Sequence, residues 1–226
     1  MVELSIEATT VAHGVHYALL GFGVVGLLAL LGPQLIPGRS APVDEHALRV
    51  RALIEQISAG GPGLAVMPVN DARTGYLPVA IVSSAAAAGV HAAVGPAHFR
   101  ELAVFGLFFA GAALAQIAWS VAMAIRPSRR LLVAAIVGNG AVLLLWLVTR
   151  TLGLPWLLPD PEPVGLLDLC AGAWEVAVVF SAGRMLQRGD QTQLRPPAWP
   201  DWEPWARGWA LGSAVVLTAL TVGVGA

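Results

Sequence analysis

The sequence predicts an all-α fold: an integral membrane bundle of six transmembrane helices, with a short cytoplasmic amphipathic helix between helices 1 and 2. Three observations carry that prediction. Of the 226 residues 57% are hydrophobic and only 12% charged, with a mean hydropathy of +0.72, whereas charged residues make up about a quarter of an ordinary soluble domain. Six apolar runs with few or no charges approach the roughly 20 residues that a helix needs to cross a bilayer core of about 30 Å. Nearly all the Arg fall between those runs and not within them.

The first run, residues 11–31, follows the acidic Glu3 and Glu7, and no A-x-A pattern comes after it, so it reads as a span and not as a signal peptide. Within it, Gly21-Phe22-Gly23-Val24-Val25-Gly26 matches the dinucleotide pattern G-x-G-x-x-G. That pattern works only in a strand-to-helix turn, and here it stands inside an apolar helix. The long loop that follows contains residues 43–58, where Val50, Leu53, Ile54 and Ile57 recur at helical spacing with Arg49, Arg51 and Glu55 between them. This is the pattern of an amphipathic helix lying on a membrane surface. Gly60-Gly61-Pro62-Gly63 ends it.

The second run, 76–94, carries Ser83, Ser84, four alanines and Gly89 in succession, a small-residue surface that lets helices approach closely and predicts a central position. Gly95-Pro96 then predicts a turn into the third run, 99–125, with Pro96 suited to a first helical turn. Arg126, Arg129 and Arg130 precede the fourth run, 131–152, and the Pro-rich segment 153–163 separates it from the fifth, 164–181. Before the sixth run, 208–225, come Trp199, Trp202, Trp205 and Trp209, the aromatic density of an interfacial belt. Gly208-x-x-x-Gly212 offers a close helix contact within the chain or against a partner.

Of the 13 Arg, 11 fall in the loops joining runs one to two, three to four and five to six; only Arg100 and Arg150 do not. The positive-inside rule makes those three loops cytoplasmic and puts both termini outside the cytoplasmic membrane. Lysine is absent, and 14 acids against 13 Arg give a net charge of -1, which leaves no basic field for nucleic acid. The single Cys170 excludes a disulfide framework and any CxxC site. No Walker sequence, G-x-S-x-G or H-E-x-x-H occurs, so hydrolase and nucleotide-driven readings have no support.

Two groups of residues remain as candidate sites. His13, His16, His91 and His98 all fall toward the outer ends of runs one to three, and His46 alone stands in a cytoplasmic loop. His13 and His16 share a helix face, as do His98 and Glu101. A helix amino terminus at His98 would favour the neutral imidazole that metals require. Neutral imidazoles with a carboxylate suit Zn or Cu, and two facing imidazoles suit haem b, with Arg100 and Arg150 at a height to meet propionates. No bound cofactor at all is the equal alternative, with the histidines satisfying backbone and headgroup contacts.

The second group is deeper. At 1.5 Å per residue Asn139 and Glu175 come out near the midplane, where an ionisable side chain points to function or to a paired structural role. Asp168 shares Glu175's face and can pair with Arg150; Gln116 and Trp174 can add polar contacts. Three functions follow as expectations: a membrane subunit binding haem b or a transition metal in a redox role, a proton- or ion-coupled carrier using Asp168, Glu175 and Asn139, or an accessory subunit binding no cofactor. The partners expected are the lipid bilayer and other membrane subunits or a second copy of the chain.

Overall fold

A computed structural model describes residues 75–188, 199 and 202–223, together with Val50 and Ile54. The described chain is all-α. It forms five helices: α1 (Tyr76–Glu101), α2 (Ala103–Ile125), α3 (Arg129–Thr151), α4 (Leu166–Arg188) and α5 (Pro204–Gly223). The first four are long and apolar enough to cross a membrane. The predicted first span, 11–31, lies outside the described residues; the five helices fall on the second to sixth predicted runs, and four of them have the length and hydropathy of a span. Of the predicted surface helix 43–58, Val50 and Ile54 are described; both are helical and exposed.

Local chemistry explains where the helices begin and end. Ser128 caps α3 by accepting from the Leu131 N–H, which satisfies one of the orphan donors of a first turn. Asp168 in the first turn of α4 accepts from the Gly165 N–H at 2.9 Å, and Pro204 opens α5 where its missing N–H costs nothing. Between α3 and α4 the chain doubles back through an isolated Leu154–Leu158 bridge. Gly153 takes φ +71° there, and a Cβ on it would run into the Leu158 and Pro159 carbonyl oxygens.

One predicted boundary is wrong. The helix does not turn at Gly95-Pro96 but continues through Pro96 to Glu101, and the reversal is made by Leu102 in extended conformation. In an apolar medium every unpaired backbone group is expensive, so a continuous helix that gives up the one donor proline lacks is cheaper than an open turn at depth. The reversal is tight because Gly106 of α2 has no side chain, and the Phe99 ring lies directly against it.

Helix α1 is the axis of the bundle. Leu77 through His91 are buried without interruption, as expected of a helix that is apolar on all sides. Its small residues let α2, α4 and α5 pack close, while α3 packs mainly on α4. Leu77, Ile81, Met123, Leu132, Val178 and Ala182 fill the core at the Arg126 end, and Ala87, Val90, Ala171, Trp174 and Leu217 fill it toward the other. The outward faces are apolar too, with Leu107, Leu114, Val137, Leu144, Leu166, Val176, Phe180, Leu211 and Val215 all exposed. A continuous apolar exterior of this kind suits acyl chains and not water.

The tryptophans before α5 do more than anchor it at an interface. Trp202 is buried against Val79, Val82 and Ala206, Trp205 packs edge-on to Tyr76, and the Trp209 indole N–H donates to Ser83 of α1 at 2.8 Å.

Candidate functional site

Four helices each send one polar side chain to a common point in the interior: His91 from α1, Gln116 from α2, Asn139 from α3 and Glu175 from α4. All four are buried, and Glu175 is 2% exposed. Glu175 stands nine residues into α4 and Asn139 ten into α3, or about 14 Å from the helix starts. The site is near the middle of the spans.

The hydrogen bonds orient one another. The Ala135 carbonyl can only accept, so Asn139 presents its Nδ2 to it at 2.9 Å, and its Oδ1 must face Gln116. Gln116 therefore presents its amide nitrogen, which donates to Asn139 Oδ1 at 3.2 Å and to Glu175 Oε1 at 3.3 Å. The same Glu175 oxygen meets His91 Nε2 at 2.8 Å. Serines steady the frame: Ser84 donates to the Gln116 carbonyl at 3.1 Å, and Ser120 bridges Gln116 and Ile81 carbonyls. Within the network two buried atoms have no hydrogen-bond partner among the described residues, His91 Nδ1 and Gln116 Oε1.

Chemically, a carboxyl group and an imidazole in contact can share a proton. With one proton added to the carboxylate and neutral imidazole, the pair is net neutral, which an apolar interior tolerates. Without it, one negative charge remains, held by the His91 and Gln116 N–H groups. The arrangement does not resemble a cage for a metal cation, because Gln116 aims nitrogen at the carboxylate and the Asn139 oxygen is already used.

The remaining predicted residues fall in other places. His13 and His16 lie outside the described residues. His91 does not sit with His98 at an outer level; the prolonged helix puts it ten residues below Glu101, where Glu175 takes its Nε2. His98 and Glu101 do pair, Nδ1 to Oε2 at 2.8 Å, but at the carboxyl end of α1 and not the amino end of the next helix. The helix-dipole argument for a neutral His98 therefore does not apply. Arg100 is exposed beside them. Among the described residues no three His, Cys, Asp or Glu side chains gather to hold a metal ion.

Arg150 forks between Glu162 at 2.9 Å and Asp168 at 3.0 Å, tying α3 to α4 at that end. Its charge is thereby matched within the chain. Trp174 turns away from the network and donates to Ser213 of α5 at 3.0 Å. Phe109 of α2 had no signal in the sequence, yet its ring lies 5.6 Å from the His91 ring and 4.6 Å from the His98 ring. Comparison with family models, with curated proteins and with solved structures finds no match to this chain.

Proposed function

We propose that this is a proton-coupled membrane protein whose proton is bound by the His91–Glu175 pair, in a six-span chain with both termini outside the cytoplasmic membrane. The observation that carries the reading is the 2.8 Å contact between two ionisable side chains that are 5% and 2% exposed. A purely structural contact at that depth is more cheaply made by amides or hydroxyls, since a buried ionisable pair gains little stability over an apolar one. The orientation of Gln116 speaks for a proton over a metal cation, because every neighbour of the carboxylate oxygen is a nitrogen. Asp168, paired with Arg150, is on this reading a strut and not part of the proton site.

The test is proton flux into proteoliposomes under an imposed potential, followed with an internal pH dye. Glu175→Gln keeps an acceptor for the His91 and Gln116 N–H groups but cannot take up a proton. It should lower flux by about a hundredfold or more while the thermal midpoint stays near that of the wild type. If the wild type moves no protons and Glu175→Gln changes nothing, the network is a clamp between helices and the protein is an accessory subunit.

A further inference from the structure

We propose that protons reach the His91–Glu175 pair from the His98–Glu101 pair, and that the Phe109 ring is the gate between them. The proposal rests on the proton-carrying reading above. His91, Gly95 and His98 share one face of α1 at spacings of four and three residues, so the two imidazoles are about 10 Å apart along the axis. Gly95 lies between them, and the Phe109 Cβ stands at ordinary contact distance, 3.8 Å, from where a Gly95 Cβ would be. The ring is tilted 33° to His91 and stacked at 18° on His98. Each imidazole has its own carboxylate at 2.8 Å, one pair buried and the other exposed at Glu101.

A histidine relays a proton by taking it at one ring nitrogen and releasing it from the other. His91 Nε2 already faces Glu175, which leaves Nδ1 as the receiving atom, and Nδ1 is the buried nitrogen without a partner. In one transfer an imidazolium at His98 gives its proton through intervening water to His91 Nδ1. The Nε2–H proton of His91 passes to Glu175 Oε1. His98 ends neutral, His91 ends neutral with its hydrogen on Nδ1, and Glu175 ends as the acid. Phe109, in ring contact with both histidines, occupies the path a chain of water would have to take between the imidazoles; swinging the ring aside opens that path.

Among the described residues the charged groups around the route are few. Helix α2 has no ionisable residue, α4 brings Glu175, and Arg150 is engaged with Glu162 and Asp168. Arg100 is the one exposed cation near His98 on α1.

Carbethoxylation by diethyl pyrocarbonate, read residue by residue by mass spectrometry on the whole protein, tests the gate without relying on transport. His98 should react readily in every variant. His91 should react slowly in the wild type and at least several-fold faster in Phe109→Ala, with Phe109→Leu as the milder variant should the first not fold. His91 reacting equally in wild type and both variants overturns the gate. In proteoliposomes His98→Ala should lower flux and Phe109→Ala should raise it. Flux lost in Glu175→Gln but unchanged in His98→Ala and Phe109→Ala overturns the route and leaves the buried site standing. Flux unchanged in Glu175→Gln overturns the buried site, and the route with it.

Discussion

Glu175 is tolerated at mid-depth because its Oε1 has two nitrogen partners, and those partners are themselves held in place. Gln116 is the residue on which the rest depends: it links Asn139 to Glu175, and its backbone carbonyl receives both Ser84 and Ser120. Gln116→Leu removes two donors while Asn139 Oδ1 and Glu175 stay buried. It should lower stability by about 1–3 kcal/mol, the cost of leaving buried polar atoms unpaired, seen as a fall in the thermal midpoint in detergent. Ser120→Ala deletes one interhelical hydroxyl bond, worth about 0.6 kcal/mol in a membrane bundle, and should be milder. Equal effects of the two would show that the amide is not central.

At the scale of elements, α1 is long because its medium rewards an unbroken backbone ladder, and this single fact moves His91 inward and His98 and Glu101 to the opposite kind of helix end from the one the sequence predicts. Glycines elsewhere in the chain divide by what surrounds them. Gly153, with φ +71° and carbonyl oxygens where its Cβ would be, should lose about 1–2 kcal/mol on substitution by Ala. Gly208 and Gly212 meet nothing within 4 Å, so neither makes a close contact within the described bundle. Gly212→Ala should be neutral or stabilising by up to about 1 kcal/mol, measured by the same thermal shift. A loss of stability there would mean that another surface covers this face.

For the whole molecule, the exposed apolar faces of α2 to α5 place the described bundle in lipid, and the distribution of Arg predicts which way it is inserted. After replacing Cys170, the single native thiol, a cysteine introduced at Ser40 should be protected from an impermeant reagent in intact cells and should label after lysis. Ready labelling in intact cells would reverse the orientation.

The sequence alone determined the helical class, the membrane environment and three of the five described helices to within about four residues at both ends, because length and hydropathy are summed along the chain and need no partner; α1 and α4 each run seven residues beyond their predicted ends. It also marked α1 as central, since a run of serines and alanines suits close packing and little else. The Arg150 pairing was legible for the same reason, being two charges at matching heights in an antiparallel helix hairpin. What it could not determine was which side chains meet. Pairing His91 with Glu175 requires the true end of α1 and the rotation of α4 against it, and both are set by packing between helices distant in the chain. Phe109 illustrates the limit: as a phenylalanine in an apolar span it carried no signal, and only the tertiary structure sets its ring in contact with two histidines seven residues apart on α1.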